Sequence, residues 1–526
     1  RMKQKLSKNQ YITMTGAAFG CILFLLSFLI INFKLFPEFC DSDMFVDLYP
    51  ARLMWEQKKL FPEGWVFGNQ YFVIASPVWT AFFYGLTGKL CFSMALAVTL
   101  LTLMIGAAWL WMLQPMRKDK GLPSVLLSLL LLLGGMIGYD IVHTQQGQIF
   151  FLCTAYYASY LLTLFIVYGC YVRDNREQKY SPVMYLLALI LCFATGMQSL
   201  RQTAVMIMPL GCVEALRQII AFKKNKKLVK EEIMRGCKCL GYAVSNAAGF
   251  VFIKLVLKPA HHNVYGNTSS RDTKDTLEGI KISFVSLLGT MGLDPAALAK
   301  HGLVSFVLGL FALMLVAGVV YTTVRVLRAK GKDAYLYVVV LLWIGVLGVL
   351  LPGCLFNIVV RPIYYFTWYP LSALCLYYVW ENSEKRKTAG IVLAVFLTGN
   401  YLGSYLPSVW EALHPKMTEE KEIAQYLTEN GYSYLYGDWS YVLAVAMTAD
   451  GSFVPGGWYF EPYHVLGYVN PLGIYGEEDN EKALILLAKE DTEALDLAKE
   501  RGAQMEAVYE TQQYILYRSD RQLMYE

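Results

Sequence analysis

Charge is scarce in this sequence. Of 526 residues, 17% are Asp, Glu, Lys or Arg and 56% are hydrophobic, and only six are His. A mean hydropathy of +0.39 is too high for a soluble globular protein and fits a polytopic membrane protein. Nucleotide-binding signals are missing: no GxGxxG and no P-loop stands at a strand–helix junction. Internal repeats and low-complexity tracts are missing too, as are the matched, Gly/Pro-interrupted spans typical of many secondary transporters. The eleven cysteines lie between Cys21 and Cys375, so a domain at the C-terminal end needs no oxidising compartment for disulfides. Cys237 and Cys239 form a single C-x-C with no second pair and no nearby His, which favours packing over a metal. The net charge of +5 says little by itself, and no nucleic acid is expected as a partner.

Long apolar runs are what the chain does have. A helix needs about 20 apolar residues to cross the hydrocarbon. Such runs predict about eleven spans, near residues 12–33, 89–112, 122–140, 149–171, 181–199, 203–220, 238–258, 303–323, 335–353, 363–380 and 389–406. The first contains no charge, is longer than a signal peptide and lacks a small-residue cleavage site, so it reads as a retained span. Lys and Arg in the connecting loops set the expected orientation. On this threading 25 of them fall on the side of the N-terminus, and the short loops of the opposite side hold only Arg201 and Arg361. The N-terminus is therefore expected to be cytoplasmic and residues 411–526 extracytoplasmic. The apolar stretch Tyr71 to Gly88 is left over; counting it as a span would invert every later loop. It reads as a re-entrant or interfacial segment within a first outer loop, residues 34–88.

Three features on the expected outer face carry chemistry. Asp41, Asp43 and Asp47 sit within seven residues directly after the first span. Asp41 and Asp43 are spaced to share a divalent cation (Mg or Mn), and either one can act as a general base tuned by its neighbours. The competing reading is an acidic start to a helix carrying Tyr49, Arg52, Leu53 and Glu56. Arg201 and Arg361 lie at membrane depth on the cation-poor side, so each needs a counter-charge. The forked donors of arginine suit a lipid phosphate, while an ion pair with Asp41, Asp43 or Asp140, or snorkelling, would also satisfy them. In "YDIVHTQQGQIFF", His143, Gln145, Gln146 and Gln148 crowd a short loop with hydrogen-bonding groups suited to sugar hydroxyls or phosphate oxygens; a plain polar turn is the alternative.

Together these parts resemble the GT-C superfamily of membrane glycosyltransferases. The likeness rests on a large first outer loop with acidic residues at its start, a polar second outer loop and about eleven spans. Gly147 to Phe151, "GQIFF", is similar to the GQ(V/I)N turn of polyprenol-phosphate-dependent mannosyl- and arabinosyltransferases. "RPIYYFTWYP", from Arg361, resembles the R-x-x-Y…P segment that lines the donor phosphate in protein O-mannosyltransferases and the lipid A aminoarabinose transferase. "DSDMFVDLYPARLMWEQKKL" resembles the opening of GT-C-like proteins from Gram-positive anaerobes. The chain departs from the superfamily in having no second D-x-D or E-x-D in the second outer loop and no W-W-D in the tail. These absences argue against a metal-dependent oligosaccharyltransferase.

The resemblance implies an inverting transfer of a sugar from a polyprenyl-phosphate carrier to an acceptor outside the cytoplasm: an envelope glycan, a glycolipid or a protein. It implies Asp43, then Asp41, as base, Arg201 and Arg361 on the donor phosphate, and His143, Gln145, Gln148, Tyr364 and Tyr365 on the substrates. No cofactor is required, and Asp41 and Asp43 offer a site that a divalent cation (Mg or Mn) can occupy. The expected architecture is an α-helical GT-C-like membrane domain over residues 1–410, including a long outer loop at 259–302, followed by a small extracytoplasmic α/β domain at 411–526. In that domain "TEEKEIAQYLTENG" and "DTEALDLAKERGA" read as helices, and "YSYLYGD", "KALILLA" and "YILYR" as strands. A lipid-linked glycan flippase and a non-catalytic GT-C-fold scaffold for envelope assembly are the alternatives.

The loop charges generate a direct test. Single cysteines placed near residues 230 and 500 should label oppositely in intact cells, with only the second reached by an impermeant maleimide. A protected C-terminal region would overturn the threading.

Overall fold

The computed structural model describes residues 8–35, 42–68, 70–144, 147, 149–176, 178–227, 229–262, 273–293, 299, 302–329, 335–358, 360–459, 461–471 and 481–525. In chain order the helices begin with α1 Lys8–Ile30, α2 Ser42–Gln57, α3 Ser76–Thr87, α4 Leu90–Leu113, α5 Leu122–Gly134 and α6 Ala158–Asn175. There follow α7 Pro182–Gln198, α8 Met208–Asn225, α9 Lys230–Phe252, α10 Thr273–Thr290, α11 Gly302–Arg328 and α12 Leu336–Leu355. The set closes with α13 Trp368–Asn382, α14 Arg386–Asn400, α15 Leu406–Leu413, α16 Glu419–Glu429, α17 Trp439–Thr448 and α18 Thr492–Glu500. Short π-helical stretches extend several of them, at Ile31–Leu35, Thr203–Ile207, Ile253–Leu257 and Tyr401–Tyr405.

Seven of the described helices are long and apolar enough to cross a membrane: Tyr11–Leu35, Leu90–Leu113, Thr203–Lys223, Lys230–Leu257, Gly302–Arg328, Val338–Leu355 and Arg386–Leu413. The other four expected spans coincide with α5, α6, α7 and α13, which are shorter or more polar. One boundary moves markedly. The expected 149–171 span starts as a helix only at Ala158; residues 149–157 are turns, nearly all buried, with Cys153 and Ala155 at positive φ. Hydropathy cannot tell such a stretch from a helix, because both are apolar. Non-helical backbone of this kind is tolerated where protein encloses it. Here the Tyr157 amide donates to the Ile149 carbonyl at 2.8 Å, closing the loop on itself. The leftover apolar segment forms α3, twelve residues opened by Pro77 and closed by Gly88 at φ 69°, too short to span.

The chain divides into two compact units. One comprises Arg1–Leu29, Thr99–Leu257 and Tyr265–Trp410; the other comprises Ile30–Val98, Lys258–Val264 and Glu411–Glu526. In the first, α7 and α9 cross with no side chain between them. A Cβ on Gly196 would meet the Asn246 carbonyl oxygen at 2.0 Å, and one on Gly249 would meet that of Phe193 at 2.0 Å. Small residues let helices approach this closely in lipid, where packing and hydrogen bonds replace the hydrophobic drive. Asn246 exploits the approach, donating to the Cys192 carbonyl at 2.9 Å and accepting from Thr203 Oγ1 at 2.5 Å.

In the second unit, five strands form a sheet: β1 Tyr434–Asp438, β2 Val454–Trp458, β3 Ala483–Ala488, β4 Met505–Glu510 and β5 Tyr514–Ser519. Their order is β2-β1-β3-β5-β4, with β2, β1 and β3 parallel and β5 and β4 antiparallel. The chain leaves β1 through α17 to β2 on one side, then returns across β1 to β3. Asp491 caps α18 by accepting from the Ala494 amide, and Thr418 caps α16 in the same way through the Lys421 amide. Sequence pattern marks β1, β3, β5 and both capped helices. It misses β2, whose "VPGGW" carries a proline and two glycines, and β4, whose "MEAVYE" is largely exposed. The same unit holds α2 and α3, with Arg52 paired to Glu56 at 2.7 Å and donating to the Gly451 carbonyl at 2.9 Å.

Replacing Gly249 with Leu should separate α7 from α9, because backbone atoms, not movable side-chain ends, block the added Cβ. Overpacking costs typically 1–3 kcal/mol, sometimes more. A Gly249→Leu chain that matches wild type in thermal unfolding, measured in lipid nanodiscs, would show that the close crossing is dispensable.

Candidate functional site

Arg201 stands where α7 breaks. The helix ends at Gln198, Ser199 is fully extended (φ −172°, ψ 171°), and helical geometry resumes at Arg201. The break is pinned to the start of α6. Gln198 and Gln202 are fully buried and donate to Ser159 Oγ at 3.3 Å and to the Tyr160 carbonyl at 3.2 Å. Ser199 Oγ hydrogen-bonds the Tyr160 hydroxyl at 2.7 Å and accepts from the Arg201 amide at 3.3 Å.

The guanidinium thus held is ringed by tyrosines. Its carbon lies 5.5 Å from the Tyr157 ring centre and 5.6 Å from those of Tyr156 and Tyr364, within cation–π range. Tyr157 is stacked on Phe366 at 4.8 Å and 14°. Its hydroxyl is buried with no hydrogen-bond partner among the described residues. A buried donor left unmade costs free energy, and the ring that carries it packs beside the Arg201 cation. A phosphate oxygen would satisfy both groups.

Arg361 is exposed at the entrance to a 3-10 turn, Pro362–Tyr365. The turn is fastened to α10: Ser286 Oγ donates to the Val360 carbonyl at 2.6 Å, Thr290 Oγ1 to the Pro362 carbonyl at 2.8 Å, and the Tyr365 hydroxyl to the Ser283 carbonyl at 3.2 Å. Tyr365 is therefore an anchor, buried and engaged with backbone, while its neighbour Tyr364 reaches Arg201. The structure brings the Arg201 and Tyr364 segments together across more than 160 residues. Tyr156 and Tyr157 escaped the sequence reading because their segment reads as the interior of a span; the adjacent tyrosine pair is the only signal that stood there.

The second loop is tied down by one face of α14 and α15. Asn400 Nδ2 donates to the Gly134 and Met136 carbonyls at 2.8 and 2.7 Å. Ser404 Oγ accepts from the Gly138 amide at 3.2 Å, and Ser408 Oγ donates to Asp140 at 2.5 Å. Asp140 faces His143 Nε2 at 4.0 Å. A Cβ on Gly147 would fall 1.9 Å from the Ile141 carbonyl oxygen, so the glycine of "GQIFF" is demanded by a close backbone approach. Gln145, Gln146 and Gln148 lie outside the described residues, as does Asp41.

Asp43 belongs to the other unit. It is exposed in the first turn of α2. One turn on, Asp47 is 2% exposed, and its Oδ1 has no partner among the described residues. Burial, with the Asp43 charge beside it, pushes its carboxyl well above the usual range. The sequence reading took Asp47 as one of three clustered carboxylates; in the structure it is buried with Met44, Phe45, Leu48 and Ala51.

Helices that pack as a polytopic bundle, with a small α/β unit, define a membrane fold of the ArnT type. The chain is similar to the crystal structure of ArnT from Cupriavidus metallidurans in the apo state, at a TM-score of 0.54 and 11% identity, covering 95% of this chain and 98% of that one. It is similar also to the structure of that protein bound to undecaprenyl phosphate, at a TM-score of 0.55 and 11% identity, covering 97% and 98%. No known protein family matches the sequence, and no curated protein matches it. The fold is therefore the one expected from the GT-C resemblance.

The raised Asp47 pKa has a signed consequence. Its folded state holds a proton that the unfolded chain gives up near the ordinary carboxylate pKa. The stability it contributes is present at low pH and is lost as pH rises through the folded pKa. Wild-type thermal stability should fall as pH rises above the carboxylate range, and Asp47→Asn should flatten that fall. Equal slopes in the two proteins would show that Asp47 ionises freely.

Proposed function

We propose that this chain is an inverting glycosyltransferase that moves a sugar from a polyprenyl-phosphate carrier to an extracytoplasmic acceptor, with a cytoplasmic N-terminus and an extracytoplasmic α/β unit. The observation that carries the reading is Arg201, ringed by tyrosines next to the unsatisfied Tyr157 hydroxyl, in a fold shared with a protein whose structure holds undecaprenyl phosphate. The loop charges support the orientation.

In the proposed reaction Asp43 accepts the proton of an acceptor hydroxyl. The freed oxygen attacks the anomeric carbon opposite the carrier phosphate. The new C–O bond forms as the bond to the phosphate oxygen breaks, and that oxygen leaves with the electron pair. Arg201, Arg361 and the Tyr157 hydroxyl hold the phosphate while charge builds on it. Anchored by the close α7–α9 crossing and by α10, these groups need little reorganisation as the bond breaks. Tyr364 packs against Arg201, and His143, Gln145 and Gln148 supply hydrogen bonds to sugar hydroxyls.

The test separates donor binding from transfer. Arg201→Lys keeps the charge but loses the fork, and Tyr157→Phe removes only the unsatisfied hydroxyl. Each should weaken undecaprenyl-phosphate binding by about tenfold, the scale of one charged hydrogen bond, with unfolding unchanged. Asp43→Asn should bind the lipid as wild type does yet lose roughly two to four orders of magnitude in transfer. Wild-type lipid affinity in both phosphate-site variants would overturn the donor assignment, and full transfer by Asp43→Asn would overturn the base.

A further inference from the structure

The α/β unit carries a feature that the transfer mechanism does not use. In open α/β sheets ligands bind outside the carboxyl ends of the strands, at the crevice between neighbours whose connections run in opposite directions. Here that crevice lies between β1 and β3; the last residue of β1 is Asp438, and the groups considered next stand at the carboxyl end of β1 and of its other neighbour, β2. Asp438 pairs in register with Trp458, the last residue of β2. The next residues on either strand, Trp439 and Tyr459, stack on each other at 5.3 Å and 25°. Trp439 is buried and forms the inner layer, while Tyr459 is 48% exposed.

A second stack stands beside the first. Trp439 Nε1 donates to the Val469 carbonyl at 3.3 Å. The preceding residue, Tyr468, stacks on His262 at 4.0 Å and 11°. His262 is itself tethered, its amide donating to the Phe67 carbonyl at 2.8 Å, and its ring is exposed. Two flat, parallel-stacked aromatic pairs with exposed outer members therefore lie at the carboxyl edge of the sheet. Beside them is the half-buried carboxylate of Asp438, the N-cap of α17. It accepts the Ser440 amide at 2.9 Å and is also hydrogen-bonded by the Tyr441 amide and the Ser440 hydroxyl.

Exposed aromatic faces beside a carboxylate match one ligand chemistry well. The C–H face of a pyranose ring packs on an aromatic face, and its hydroxyls donate to a carboxylate oxygen. A lipid tail would have no use for Asp438, and an anionic ligand would be repelled by it. We infer that the carboxyl edge of this sheet is a glycan-binding platform: Tyr459 and His262 receive successive sugar rings, and Asp438 accepts their hydroxyls. If the chain is the transferase proposed above, the glycan bound here belongs to its acceptor.

The test uses the full chain in lipid nanodiscs, a hexamer of β-1,4-linked N-acetylglucosamine, a hexamer of α-1,4-linked glucose and a neutral hexapeptide. Saturation-transfer NMR should light up ring protons of at least one hexasaccharide and leave the peptide dark. Titration should show affinity reduced at least tenfold in Tyr459→Ala, retained in Tyr459→Phe and weakened in Asp438→Asn. Undecaprenyl-phosphate binding, read in the same preparations, should be unchanged and reports that the variants fold. Silence from both saccharides, or a Tyr459→Ala protein that binds as wild type does, overturns the platform. Binding of the peptide with equal strength also overturns it, since that would make the surface a protein-docking site. Glycan binding that persists while wild type fails to bind undecaprenyl phosphate would sink the transferase reading and leave the platform standing.

Discussion

Two backbone carbonyls set the geometry of the helical unit. The oxygens of Phe193 and Asn246 sit where any side chain on Gly249 or Gly196 would have to be, so α7 and α9 run in direct backbone contact. At that distance Asn246 can serve both helices at once, bonding the Cys192 carbonyl and the Thr203 hydroxyl. Thr203 begins the π-helical stretch just beyond Arg201. The crossing thus helps fix the chain beyond the Ser199 break, while the buried Gln198 before the break and Gln202 after it bond to the start of α6. Arg201 has little freedom between them. Its guanidinium lies among the rings of Tyr156, Tyr157 and Tyr364.

The same demand, that polar groups be satisfied inside an apolar bundle, shapes the irregular parts. Residues 135–140 leave helical geometry, and Asn400, Ser404 and Ser408, spaced by four from the end of α14 into α15, bond this stretch as a ladder. Residues 149–157 are just as irregular, and they close a turn that delivers Tyr157 to Arg201 and to Phe366. Loops commonly carry function. They can be precise because helices on either side answer their hydrogen bonds.

Carboxylates behave differently in the other unit. Asp43 and Asp47 are one turn apart and identical in chemistry. Asp43 lies in the exposed first turn; Asp47 is buried, and burial drives it towards the neutral form. The α/β sheet follows the same economy: its buried parallel strands form the core, and aromatic and acidic groups are left at their carboxyl edge.

The sequence by itself determined the class of protein, the number and approximate bounds of its apolar helices, and the residues worth suspecting. Those depend on hydropathy, caps and charge placement, which are properties of short stretches. Gly147 was legible within its motif; the burial of Asp47, read from sequence only as one of three clustered carboxylates, was not. Tertiary structure alone decided that the apolar run after Ile149 is a loop, that Tyr156, Tyr157 and Tyr364 surround Arg201, and that Tyr365 is an anchor. It alone placed Tyr459 on Trp439 at the carboxyl edge of the sheet. Those facts join residues far apart in the chain, through backbone approaches and ring stacks that leave no periodic trace. A span, by contrast, is written in consecutive residues, because each must meet the hydrocarbon in turn.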